Sequence, residues 1–185
     1  MNKYVGLLSL ALLAACGAPK QDTAFYTFDT ATPRTVANRK ISVDVGRVRI
    51  PEYLDRPQMV TTSGVSVDID QHNRWAENPG TLIQRRLISN LASSLPASTV
   101  KDANFISTPG DYAVFVEVYR LDGAIPGAPQ ISAMYSITGD NSAPHVRRVA
   151  YTGAAASDYA EYAASLGALI DRLSDDIARD LAKIK

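Results

Sequence analysis

The chain has 185 residues, with 19 Lys or Arg and 19 Asp or Glu, so its formal net charge at pH 7 is zero. This balance argues against nucleic-acid binding and against electrostatic attraction of the whole chain to an anionic membrane. The single cysteine excludes an intrachain disulfide and a multi-cysteine metal site. The length fits one domain with a substantial core.

The N-terminus has the three-part layout of a secretory signal peptide. Lys3 is followed by an apolar run over residues 5–13 and by two alanines, directly before Cys16. The run is too short to span a membrane as a helix, which takes about 20 apolar residues. Leu-Ala-Ala-Cys at residues 13–16 resembles a bacterial lipobox, which implies that the signal is cleaved before Cys16 and that this cysteine carries the lipid. A lipid-modified cysteine is not available as a nucleophile.

The N-terminal pattern predicts three segments: a lipoprotein signal peptide over 1–15, a lipidated N-terminus and tether over 16–23, and a periplasmic domain over 24–185. The tether reaches at most about 25 Å at ~3.5 Å per residue, so the domain is expected to lie close to the bilayer. The lipobox resemblance favours the outer membrane, because Gly17 replaces the aspartate that commonly retains lipoproteins in the inner membrane.

The first segments of the domain predict strands. Residues 25–28 (FYTF) are expected to form a short edge strand. In residues 40–51 the apolar residues alternate and then slip by one position at Gly46, which predicts a strand with a bulge or bend at this glycine. Residues 59–69 predict a hairpin that turns at Ser63-Gly64.

The second half predicts two helices separated by three strands. Asn78 and Pro79 provide an N-cap and a first-turn proline for a helix that Pro96 ends. Strands are expected over 111–123, 129–139 and 145–155, the first of them buried on both faces. A long C-terminal helix begins near Ser157 and places Asp176 and Asp180 on its polar side. This order predicts an α+β fold: a single domain with a mainly antiparallel or mixed sheet packed by two helices.

Few residues suggest chemistry. Asp68, Asp70 and His72 alternate and would share one strand face that could bind a cation, but the solvent side of a hairpin explains them without a ligand and is the favoured interpretation. His145 has no carboxylate nearby in sequence and is expected to be a loop histidine. Nucleotide-binding loops and serine nucleophile motifs are absent from the sequence. We therefore expect neither an enzyme nor a metal or cofactor site.

The segment RIPEYLDRPQMV, residues 49–60, has two possible interpretations. Its prolines restrict the backbone at both ends. The enclosed Tyr53, Leu54 and Arg56 are residue types enriched at protein interfaces, but they could also form a structural corner against the core.

Taken in order, the lipobox, FYTF, VGRVRIPEYLDRPQMV and RWAENPGTLIQRRLISNLASSLP resemble the PqiC-like family of ABC-type transport auxiliary lipoproteins. The likeness covers residues 25–96 well, whereas the second half agrees only in its pattern of strands and helix. The chain departs from the family at residues 78–80, Asn-Pro-Gly, where members commonly have Pro-Leu directly after Glu77.

The resemblance implies a non-enzymatic lipoprotein, lipid-anchored at the periplasmic face of the outer membrane. Its implied partners are an MCE-domain protein that crosses the periplasm and, through it, an inner-membrane ABC permease and ATPase that transport phospholipid. The resemblance also implies that copies of the chain assemble into homo-oligomeric rings, and it implies no cofactor. The family motifs assign lipidation to Cys16 and a role in folding or docking to Pro51, Tyr53, Leu54, Arg56, Pro57 and Trp75.

Two other hypotheses stay open. The chain could be an envelope-integrity scaffold that contacts cell wall or outer-membrane proteins without transporting lipid. It could also be a periplasmic hydrolase that uses His72 or His145.

Overall fold

The computed structural model describes residues 22–28, 34–105, 108–139 and 143–184. The predicted signal peptide and Cys16 lie outside these ranges. The described part of the chain contains eight strands and two helices: β1 (Ala24–Tyr26), β2 (Ser42–Val45), β3 (Gln58–Ser63), β4 (Ser66–Trp75), α1 (Pro79–Ser94), β5 (Thr99–Asp102), β6 (Tyr112–Asp122), β7 (Gln130–Gly139), β8 (His145–Thr152) and α2 (Tyr159–Lys183).

The strands form two mixed sheets. The larger sheet has the order β5-β2-β6-β7-β8, in which β2 is parallel to both neighbours and β6, β7 and β8 are antiparallel. The smaller sheet has the order β1-β4-β3, with β1 parallel and β3 antiparallel to β4. The predicted α+β domain with a mixed sheet and two helices is confirmed, and the strands are divided between two sheets. Strand β5 was not predicted.

Both helices pack on the same side of the larger sheet. Alternate residues of its central strands face them and are buried, including Val114 and Val116 in β6 and Ile131 in β7. Phe115 and Tyr119 point to the opposite side and are 51% and 42% exposed. The expectation that β6 is buried on both faces is therefore wrong, because the two helices lie together on one face and, within the described ranges, no helix covers the other.

The bend predicted at Gly46 is confirmed. After β2 the chain leaves the regular ladder and then pairs again where Arg49 bridges to Glu117. Gly46 stays bonded to β6 through its N–H, which donates to the carbonyl of Val114 at 2.9 Å. A Cβ at position 46 would lie 2.7 Å from the ring of Phe115, so glycine leaves room for this ring to lie against the backbone of residue 46.

The β3–β4 hairpin turns one residue later than predicted. Ser63 pairs with Ser66, so the two turn residues are Gly64, at φ +59°, and Val65, whose side chain is fully exposed. Positive φ at the first turn position favours glycine there.

The caps predicted for α1 are confirmed. The Asn78 side chain accepts a hydrogen bond from Gly80 N at 2.9 Å, Pro79 occupies the first turn, and Leu95 is the C-cap before Pro96. Helix α2 begins with a second N-cap, in which Asp158 accepts from Glu161 N at 2.8 Å. These caps satisfy backbone N–H groups that have no partner within the helix.

Candidate interaction surface

The proline-bracketed segment forms a compact corner between β2 and β3. Leu54 is buried, and its N–H donates to the Pro51 carbonyl at 3.0 Å. The Pro57 carbonyl accepts from Trp75 N at 2.6 Å, which ties the end of the corner to the end of β4. One backbone hydrogen bond within the corner and one to β4 thus hold its backbone in place.

Tyr53 connects this corner to the end of β6. Its hydroxyl donates to Asp122 Oδ2 at 2.6 Å, and Asp122 is buried. The same carboxylate accepts from Thr62 Oγ1 at 2.9 Å and from Arg120 Nε at 2.7 Å. Burial raises the pKa of Tyr53 well above its ordinary value, and the hydrogen bond to Asp122 raises it further. Tyr53 is therefore a neutral donor to a buried anion.

The structure divides the motif residues by burial. Trp75 is buried and packs against Phe28 with 5.1 Å between ring centroids. Pro51 and Arg56 are half-buried, and Pro57 is exposed. Together with the burial of Leu54 and the buried partner of Tyr53, this favours the structural interpretation for three of the motif residues, and a docking role for any of the six stays a prediction.

A groove lies next to this corner on the uncovered face of the larger sheet. One concavity of this groove measures about 270 Å³ and is lined by Arg47, Arg49, Phe115 and Glu117 among others. A second concavity of about 390 Å³ shares both arginines and Glu117 and extends to Asp55 in the corner. The segment that carries the family resemblance therefore contributes directly to this groove.

Positive charge predominates around the 270 Å³ concavity. Arg47 and Arg49 are exposed at its edge. Arg148 lies on the same face, with its guanidinium 5.9 Å from the ring centroid of Tyr119. Glu117 accepts a hydrogen bond from the Tyr119 hydroxyl at 3.1 Å. The sequence did not single out the two arginines, because their neighbours across the sheet come from β6 and β7, far along the chain.

The other charged cluster joins α2 to β7 and β8. Asp180 Oδ2 accepts from the Tyr135 hydroxyl at 2.5 Å and lies 3.0 Å from His145 Nε2 and 3.4 Å from Arg147 Nη1. Burial alone would raise the pKa of Asp180, but the hydrogen bonds from these three groups outweigh it and hold the pKa below its ordinary value. Asp176 accepts from the Tyr151 hydroxyl in the same layer.

This cluster corrects two expectations. His145 is the first residue of β8, where the predicted strand placed it, but it has a carboxylate partner in Asp180 and so is not a loop histidine. Asp176 and Asp180 are buried against the sheet, although the helical pattern placed them on the polar side of α2. Both errors arise because the partners are distant in sequence: Asp180 on α2 is the partner of His145, and β7 and β8 supply the partners of Asp176 and Asp180. The contacts assign a stabilising role to this cluster.

The alternation of Asp68, Asp70 and His72 is broken in the structure. Gln58 pairs with Arg74 and Val60 with Ile69, so β4 has extra residues opposite this part of β3. Asp70 lies in this irregular stretch, and its side chain accepts a hydrogen bond from the backbone N–H of His72 at 2.7 Å. In the ranges that the structure describes, no group of three or more His, Cys, Asp and Glu is arranged to bind a metal. None of the described helices is long and apolar enough to cross a membrane.

The chain matches a known protein family, and its fold is similar to those of solved structures. The family model for the ABC-type transport auxiliary lipoprotein component matches residues 26–178. A crystal structure of an uncharacterized protein is similar with a TM-score of 0.73 and 23% identity, covering 86% of this chain and 99% of that chain. A protein from Xanthomonas campestris gives a TM-score of 0.67 and 13% identity, with 86% and 95% covered.

At these identities the structural likenesses concern the fold alone. The PelC dodecamer from Paraburkholderia phytofirmans is more distant, with a TM-score of 0.47 and 11% identity over 84% of this chain and 95% of that chain. No curated protein matches the sequence.

Proposed function

Because this chain belongs to the family of ABC-type transport auxiliary lipoproteins, we propose that it serves an MCE/ABC-type phospholipid transport system at the outer membrane. In this role it docks the MCE subunit that crosses the periplasm from the inner membrane. The observation that carries the proposal is the family match over residues 26–178, which begins in β1 and ends in α2. The role is auxiliary, and ATP is consumed by the transporter's own ATPase.

The proposal includes a lipid on Cys16 that anchors the chain at the periplasmic face of the outer membrane. Two or three buried acyl chains hold a protein on a bilayer far more firmly than one. Since the tether reaches only about 25 Å, the domain stays near the outer membrane and needs an elongated partner. Several copies arranged in a ring would give such a partner a larger docking surface.

The anchor is tested by labelling cells with radioactive palmitate. We expect the wild-type chain to incorporate label and to fractionate with the outer membrane. Cys16→Ala should lose both properties. An unlabelled wild-type chain, or one that fractionates with the inner membrane, would contradict this part of the proposal.

Docking is tested by co-purification. The full-length chain and the co-encoded MCE protein are expressed together and extracted in a mild detergent, and we expect the MCE protein to follow an affinity tag on this chain. Capture of peptidoglycan or other outer-membrane proteins in its place would indicate the scaffold role. A gene for an MCE protein next to that of this chain is expected under the transport role only.

A further inference from the structure

The uncovered face of the larger sheet carries large apolar side chains. Phe115 pairs with Ser136, which in turn pairs with Val146, so these three side chains form one row across β6, β7 and β8. Phe115 is 51% and Val146 54% exposed. Ser136 lies between them, so Phe115 and Val146 are two exposed apolar groups on the same face, two strands apart.

A charged row runs beside the apolar one. Arg49 bridges to Glu117, which pairs with Met134, which pairs with Arg148. Arg47 joins this row at the edge of the 270 Å³ concavity. Among the described residues neither Arg47 nor Arg49 takes part in an ion pair. The groove thus combines two accessible guanidinium groups with an apolar floor.

Guanidinium groups bind phosphate oxygens through paired, charge-assisted hydrogen bonds. The adjoining floor of Phe115 and Met134 offers apolar contact to whatever is attached to such a phosphate. We propose that this groove binds a phospholipid headgroup, with its phosphodiester at Arg47 and Arg49 and its glycerol and first acyl carbons against Phe115 and Met134.

The size of the concavity favours this ligand over a protein segment. The two concavities of about 270 and 390 Å³, which share Arg47, Arg49 and Glu117, are of the order of small-molecule pockets, roughly 300–1,000 Å³. A stable protein interface buries about 800 Å² on each partner and needs a more extended surface. The proposal rests on the proposed phospholipid-transport function and deepens it, because it places the domain itself in contact with lipid.

Photocrosslinking in cells tests the proposal on the full-length protein. The photoreactive residue p-benzoylphenylalanine replaces Phe115, and the cells are grown with ³²P-phosphate before irradiation. We expect a ³²P-labelled adduct whose added mass is that of a phospholipid. The double variant Arg47→Ala/Arg49→Ala should lower its yield about tenfold or more, as expected for loss of charge-assisted hydrogen bonds.

The matched control is Arg34→Ala/Arg85→Ala, which also removes two exposed arginines. Their ion pairs with Asp175 and Glu77 are at the surface, where such pairs contribute little to stability. This variant should crosslink like wild type. A protein adduct at position 115, no adduct, or equal yields from both double variants would overturn the proposal.

Titration of the purified lipoprotein in detergent separates a lipid site from a simple anion site. The probes are dihexanoyl phosphatidylglycerol, inorganic phosphate and dihexanoylglycerol, and binding is followed by NMR. We expect the phospholipid to bind most tightly and binding to weaken about tenfold or more in Arg47→Ala/Arg49→Ala. If inorganic phosphate bound as tightly as the phospholipid, the groove would be a simple anion site and the lipid proposal would be wrong. Co-purification of the MCE protein with the same variant tests docking separately.

Discussion

Replacing Tyr53 by Phe tests whether the proline-bracketed corner is structural. The substitution keeps the ring and removes only the hydroxyl that donates to Asp122 Oδ2 at 2.6 Å. Asp122 remains buried and keeps Thr62 and Arg120 as donors. The change therefore isolates one hydrogen bond to a buried carboxylate.

The expected cost follows from the charge of the acceptor. A hydrogen bond to a charged group contributes about 1.5–3 kcal/mol, so Tyr53→Phe should lower the free energy of unfolding by about 2 kcal/mol. In a protein of this size each kcal/mol corresponds to a shift of about 2–4 °C, so Tm should fall by about 4–8 °C.

The assay is thermal and urea unfolding followed by circular dichroism, with Tyr119→Phe as the matched control. Tyr119 also donates its hydroxyl to a carboxylate, that of Glu117, but at the exposed sheet face, so its Tm should not change measurably. If Tyr53→Phe were as stable as the control and yet lost the MCE protein in co-purification, the structural interpretation would be refuted and Tyr53 would be a contact residue.

Three further changes test other parts of the fold by the same unfolding assays. Asn78→Ala removes the α1 cap that holds Gly80 N and should cost about 1 kcal/mol; an unchanged Tm would argue against this cap. Gly153→Ala would place its Cβ 2.3 Å from Ser165 Oγ and should cost about 1–3 kcal/mol. Adding Ser165→Ala should cost less than the sum of the two single changes, and strict additivity would contradict the clash. Because the pKa of Asp180 is lowered on folding, its contribution is complete above the ordinary value of 3.8 and is lost as the pH falls through the lowered value. The stability difference between wild type and Asp180→Asn should therefore shrink toward about pH 2, and a constant difference would refute that assignment.

The parts of the fold that the sequence predicted are those set by neighbours along the chain. The α1 caps, the hairpin and the bend at Gly46 depend on residues within a few positions of one another. Strand β5 was missed, although Thr99 and Val100 follow Pro96 and are of the β-branched type that favours strands. Four residues give too little alternation to identify a strand, and β5 is stabilised by parallel pairing with β2.

The candidate groove could be predicted only in part. The sequence identified residues 49–60 as an unusual segment but left core and contact interpretations open. The deciding contact of Tyr53 is with Asp122, 69 positions away. The same limit applies to His145, whose carboxylate partner Asp180 is on α2. Pairings of this kind depend on strand order, which periodicity does not reveal.

Residues 47–60 join the groove and the proline-bracketed corner in one continuous segment. Its second half, with Tyr53 and Leu54, is fixed to the core, and its first half, with Arg47 and Arg49, lines the groove. Because the two halves are continuous in the chain and the second half is fixed to the core, the core contacts determine where the chain carrying the arginines runs. Substitutions in the second half should therefore lower stability and ligand binding together, whereas substitutions of the exposed arginines should lower binding alone. The test is Leu54→Ala, with phospholipid binding measured below the unfolding temperature of the variant. If the variant were less stable than wild type but bound phospholipid equally well, the groove would not depend on the corner.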